Sequence, residues 1–127
     1  MIRCFWLLNH RITEEQKSEL KNKYNVGAFI FPPDSISRIW AAVPPVNYIP
    51  EQTLNEILSW FDTAESSDIA VVQGESTVSF RIVNYLMDNG ITVLASVSDR
   101  CSEEHLVDGK LIKTSSFKHI CFRKYER

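Results

Sequence analysis

Apolar and polar positions along the chain follow two periods, and the switches between them mark out the elements. Ile2 to Leu8 is an almost continuous apolar run broken only by Arg3, the pattern of a strand covered on both faces. It ends at Asn9-His10. Thr13-Glu14-Glu15-Gln16 then has the form of a capping box, and Ile12, Gln16, Leu20 and Tyr24 recur every fourth residue, so a helix to about Tyr24 is expected, otherwise charged and on the outside. Val26 to Phe31 reads as a second strand stopped by Pro32-Pro33, since proline has no amide for a ladder. Asp34 or Ser35 is expected to cap a short helix through Ile36, Ile39 and Trp40, closed by Pro44-Pro45. Val43 to Pro50 reads as a stiff connector within one domain. From Pro50, the positions Leu54, Ile57, Leu58 and Phe61 give the clearest one-faced helix.

The stretch from Ile69 to Tyr85, IAVVQGESTVSFRIVNY, joins a buried strand to a helix through a tight turn. Ile69 to Val72 is β-branched and apolar, Gln73-Gly74-Glu75 turns, and Val78, Ile82, Tyr85 and Leu86 resume a helical period. Ser76 and Thr77 stand where an N-cap belongs, Gly74 permits close backbone approach, and the first helical amides suit an anion. An ordinary strand-to-helix connection fits the same spacing equally well. Asn89-Gly90 ends the helix, Ile91 to Val97 is the next strand, and Asp108-Gly109 predicts a two-residue hairpin between Glu103–Val107 and Lys110–Thr114. Phe117 to Tyr125 is basic, aromatic and extended.

This order predicts one α/β domain over residues 1–127, a mostly parallel sheet with helices on both faces and a C-terminal antiparallel hairpin. In such sheets ligands sit beyond the strand carboxyl ends, where the strand order switches. Asn9-His10, Gln73-Gly74-Glu75-Ser76 and Ser96 all fall at strand ends, so separate segments are expected to converge on one crevice.

The chain is 44% hydrophobic and carries net charge −2, which points to a globular protein and away from a general binder of long nucleic acid. The distribution changes that picture locally. Residues 110–127 hold Lys110, Lys113, Lys118, Arg123, Lys124 and Arg127 against Glu126 alone, favouring a small anionic ligand. No apolar run approaches a membrane span and no signal-peptide pattern opens the chain, so a cytoplasmic protein is expected. Cys4, Cys101 and Cys121 form no disulfide or zinc spacing, and neither metal nor cofactor is expected.

His10 is placed to act as general acid or base, or only to cap its turn. Glu75 is a candidate base or sugar-orienting group, or simply a favourable charge in a first helical turn. Asn9, Gln73, Gly74, Ser76, Thr77, Arg81 and Ser96 are candidate ligand-binding positions by their convergence. Lys118, His119 and Arg123 are candidates on the closing strand, where a solvated alternating face is the plainer reading.

Taken in order, Asn9-His10, Thr13-x-x-Gln16, the Pro-Pro pair after the Trp40 helix, Val71-Val72-Gln73-Gly74-Glu75, and Phe117-Lys118-His119-x-x-Phe122-Arg123-x-Tyr125 resemble the small CRISPR-associated Csx family numbered twenty. The resemblance spans nearly the whole chain. It implies a Rossmann-like, CARF-type sensor fold, a homodimer, and ring nuclease activity on cyclic oligoadenylate, foremost cyclic tetra-adenylate, the messenger of type III CRISPR defence. Metal-free attack by a ribose 2′-hydroxyl would open the ring and end the signal. Where that family pattern has aspartate after the glycine, this chain has Glu75. A non-catalytic cyclic-oligoadenylate sensor acting through a partner protein is the alternative.

Overall fold

The computed structural model describes all 127 residues. The elements run β1 (Ile2–Leu7), α1 (Glu14–Tyr24), β2 (Val26–Ile30), α2 (Asp34–Ala41), α3 (Glu51–Trp60), β3 (Ile69–Val72), α4 (Ser76–Asp88), β4 (Thr92–Val107) and β5 (Lys110–Lys124). They build one five-stranded sheet in the order β2-β1-β3-β4-β5. β1 pairs in parallel with β2 and β3, β3 in parallel with β4, and β5 runs antiparallel to β4. The predicted α/β class and mostly parallel sheet with a closing antiparallel hairpin are therefore observed.

The continuous apolar runs of β1 and β3 are explained by two cores. Phe5, Leu7, Ala70 and Val72 point to one face, where they meet Ile36, Trp40, Leu54, Ile57, Val78, Ile82 and Leu86 from α2, α3 and α4. Cys4, Trp6, Ile69 and Val71 point to the other, against Leu20 of α1 together with Val26, Leu94 and Phe122. A strand whose successive side chains enter opposite cores has no polar position to spare. Burial also pushes the Cys4 thiol up to about 12, so it stays protonated and inert.

Arg3, the one polar break in β1, has a purpose. Its Nη2 lies 2.7 Å from Asp68 Oδ2, its own amide donates to Asp68 Oδ1 at 3.1 Å, and the Glu65 amide donates to Oδ2 at 2.9 Å. Asp68 is 2% exposed. Burial alone would raise its carboxyl; the Arg3 guanidinium and the Glu65 and Arg3 amides outweigh that and hold it below its ordinary value. The pair ties the start of β1 to the loop entering β3.

Helix ends match the expected signals in part. Thr13 and Gln16 form the reciprocal capping box of α1, and Gly90 takes φ +76° just beyond α4. α2 instead starts after Pro33 with no side-chain cap, not from Asp34 or Ser35. α4 is capped by Glu75 rather than by Ser76 or Thr77.

The largest departure is the hairpin. The strands expected to break near residues 98–102 and at Ser115-Ser116 run on, pairing without a gap from Leu94↔Lys124 to Val107↔Lys110 apart from a bulge beside Val97. Asp108 (φ 52°) and Gly109 (φ 76°) form the turn, both left-handed as a two-residue turn of this hand demands. Beyond Ser98 the ribbon leaves the body as an arm roughly 30 Å long at about 3.3 Å per residue. Because β4 is parallel to β1 and β3, the arm rises on the side of their carboxyl ends. No helix is long and apolar enough to cross a membrane.

Candidate functional site

The connection out of β1 passes through α1 on one face, and the connection out of β3 passes through α4 on the other. The strand order therefore switches between β1 and β3, and their carboxyl ends part to leave a crevice. Two adjoining cavities occupy it, sharing His10 and Arg11. The first, about 760 Å³, runs over β1 and β2, with Leu8, Asn9, Lys17, Phe31, Asp34 and Arg38 in its wall. Arg11, Lys17 and Arg38 face a single acid there, Asp34. Arg11 and Arg38 make no ion pair, whereas Lys17 lies 3.7 Å from Glu14. An electropositive recess of this kind suits a ligand carrying more than one negative charge.

The second cavity, about 500 Å³, lies over β3, β4 and β5 and is lined by Thr13, Gln16, Gln73, Ser96, Ser98, Phe117 and His119 besides the shared pair. Its floor is a chain of hydrogen bonds. Ser96 Oγ lies 2.8 Å from His119 Nδ1, His119 Nε2 lies 2.8 Å from Glu19 Oε1, and Glu19 Oε2 accepts from the Phe122 amide at 2.9 Å. The Glu19 carboxylate only accepts, so a neutral His119 carries its proton on Nε2 and offers Nδ1 to the Ser96 hydroxyl. The His119 side chain is 5% exposed.

A single irregularity in β5 makes this floor. Ser96 pairs with Phe122 and Ser98 with His119, so Ile120 is an extra residue in β5. Strict alternation would send His119 and Phe122, three apart, to opposite faces. The bulge brings both onto the α1 side, with ring centroids 4.6 Å apart.

The β3 turn behaves differently from its sequence expectation. Gln73 uses its side-chain amide on the Ser96 backbone, Oε1 accepting from Ser96 N at 3.0 Å and Nε2 donating to Ser96 O at 3.3 Å, which prolongs the β3–β4 pairing. At Gly74 an added Cβ would lie 2.6 Å from ring carbons of Trp40, whose Nε1 donates to the Gln73 carbonyl at 3.1 Å. The close approach that glycine permits is thus to a core tryptophan. Glu75 accepts from the amides of Thr77 (3.0 Å) and Val78 (2.9 Å) and from the Thr77 hydroxyl (2.6 Å). Those donors, the Thr77 hydroxyl first, hold its carboxyl below the usual glutamate range. Two of the first helical amides, the donors that suit an anion, are thus taken by the protein's own carboxylate.

Of the candidate residues, Asn9, His10, Gln73, Ser96 and His119 come together around the paired cavities. Gly74 and Ser76 line a separate cavity of about 580 Å³ beside α4, with Phe80 and Tyr125. Glu75, Thr77, Arg81, Lys118 and Arg123 line none of these three. Lys118 and Arg123 pair with Asp99 and Ala95, on the sheet face opposite to His119. Arg11, Lys17, Arg38, Glu19 and Phe117 are the site residues that sequence reasoning missed. Arg11, adjoining His10, carried the one usable signal. His, Cys, Asp and Glu side chains form no cluster able to hold a metal ion.

A family model described as the uncharacterized protein MJ1673 family matches residues 2–123. The "Uncharacterized protein MJ1673" of Methanocaldococcus jannaschii is 28% identical over 126 residues, covering 98% of both chains. No solved structure matches.

Proposed function

The chain belongs to the uncharacterized MJ1673 family, and we propose that it is a Rossmann-like, CARF-type ring nuclease that binds cyclic oligoadenylate, cyclic tetra-adenylate foremost, and opens it to linear products. Cutting the ring would silence type III CRISPR signalling in the cytoplasm. The observation that carries the reading is the pair of cavities at the strand switch point, the first electropositive, with Arg11, Lys17 and Arg38 set against Asp34, and the second holding the histidines His10 and His119. A small polyanionic ring needs such a recess and not a basic protein surface, in keeping with net charge −2.

The reaction asks little of the protein. A ribose 2′-oxygen attacks its neighbouring phosphorus in line, the bond to the 5′-oxygen breaks, and a 2′,3′-cyclic phosphate remains. His10 takes the hydroxyl proton or protonates the leaving oxygen, a contribution of ~10²- to 10⁴-fold. Arg11 and Arg38 stabilise charge on the phosphoryl oxygens, and the cavity wall holds the near-attack geometry. A homodimer would set two such sites across a twofold from a fourfold ring.

A binding module that leaves the ring intact is the second reading. Its support is the engagement of the Glu75 carboxylate in capping α4, which removes one of the two expected catalytic groups. Incubating the purified chain with radiolabelled cyclic tetra-adenylate in EDTA separates the readings. Linear products that His10→Ala slows in single turnover, without matching loss of binding, are expected; a bound but intact ring at excess protein leaves the sensor, and neither binding nor cleavage ends both.

A further inference from the structure

Phe117 is the more exposed of two aromatics that stand open in the site, the other being Phe31 in the wall of the first cavity, 50% exposed. Phe117 is 73% exposed yet lines the cavity whose floor is Ser96 and His119. A phenylalanine ring left in water has an unfavourable contact area and no polar group of its own to satisfy. The other large apolar side chains of the arm, Leu106, Val107, Leu111 and Ile112, gather at its tip, where Leu106 pairs with Leu111, and line none of the cavities described above. Phe117 lies at the root, directly opposite Arg100, whose guanidinium carbon sits 6.0 Å from the ring centroid. That distance is the outer limit of a cation–π contact, so the pair is loose and the ring is available to a larger π surface.

Phe117 and His119 are two residues apart on the same strand face, about 7 Å, which is the scale of a nucleoside. A base lying on the Phe117 ring would leave its sugar and phosphate within reach of His119, Ser98 and Arg11, which line the same cavity. We infer that Phe117 is a stacking platform for one adenine base of the ligand, with Arg100 as the cation at its side. The inference rests on the reading of the cavity as a nucleotide site and adds the group that recognises the base, which the phosphate-directed cations do not. Stacking on an aromatic ring is sequence-tolerant and needs no hydrogen-bond partner, consistent with a platform on an exposed strand.

AMP and ribose 5-phosphate, titrated calorimetrically into the full chain, test it. Wild type should bind AMP more tightly than ribose 5-phosphate. Phe117→Ala should weaken AMP on the order of 10- to 100-fold and leave ribose 5-phosphate and the melting temperature where they were, while Phe117→Trp keeps AMP. Phe80→Ala, at the exposed aromatic beside α4, should change nothing. Absence of AMP binding, equal affinity of wild type for the two probes, or loss of both probes together in Phe117→Ala overturns the platform. A cyclic tetra-adenylate ring that is neither bound nor cut, with AMP discrimination intact, would remove the ring reading and keep the platform; ring binding indifferent to Phe117→Ala would do the reverse.

Discussion

The sheet body and the arm are built from the same kind of element and differ in what covers it. In β1 and β3, residues Phe5, Leu7, Ala70, Val71 and Val72 are at most 1% exposed, because helices press on both faces. In the arm, the ladder from Ser98↔His119 to Val107↔Lys110 is as complete, yet every arm residue from Ser98 to Lys118 is exposed. Backbone pairing thus forms a ribbon without making a core. An isolated two-stranded ribbon is marginal in water, and its stability here comes from its root, where Leu94 and Phe122 enter the α1-side core. The candidate site divides along the same line: the body supplies the cations and the hydrogen-bonded floor, and the arm root supplies an exposed ring.

Substitutions that intrude on the body should cost most. Gly74→Ala places a methyl 2.6 Å from the Trp40 ring, which is 2% exposed and held by its bond to the Gln73 carbonyl. A loss of about 3 kcal/mol in denaturant unfolding is expected; a change of less than half a unit would show that Trp40 moves aside and that the body is looser than its burial implies. Asp68→Ala comes next, orphaning the buried amide donors of Arg3 and Glu65 at a cost on the order of 2 kcal/mol. Its carboxyl is depressed below its ordinary 3.8, so its stabilisation is present above that pH and is lost as pH falls through the folded value. Asp68→Asn should accordingly flatten the acid limb of the stability profile below about pH 4, and an unchanged limb would assign acid unfolding elsewhere. The smallest effect belongs to the arm: Leu106→Ser with Leu111→Ser should shift unfolding by no more than about 0.5 kcal/mol. A larger, concentration-dependent loss would mean that the tip is buried against a second copy and that the contrast between the regions holds only for the free chain.

Much of the body was legible along the chain because its determinants are local. The capping box at Thr13 and Gln16, the proline stops, the one-faced helix of Leu54 and Ile57 and the Asp108-Gly109 turn each work within a few residues. The arm was legible only at its tip and its end. Ser98 to Ser102 and Ser115-Ser116 are polar and solvated on both faces, so no alternation marks them, and their strand conformation comes from a partner strand met across the turn. The site divides the same way. Strand ends put His10, Gln73 and Ser96 at the crevice. Lys17 and Glu19 read as the solvated surface of a charged helix, and nothing in its local pattern marks Arg38. Only the placement of β2 beside β1, and of α1 against β5, turns them inward.

The sequence by itself determined the elements of the body, the α/β class, and the strand-to-helix turn at Gln73-Gly74-Glu75, since period, caps and turn chemistry are short-range. Tertiary structure alone decided what Gly74 does in that turn, giving it to Trp40, and it decided through one bulge at Ile120 that His119 faces Glu19 and Ser96. The reason is that a side chain's role is set by what approaches it from distant elements, and a single extra residue in a strand of period two reverses which face it meets.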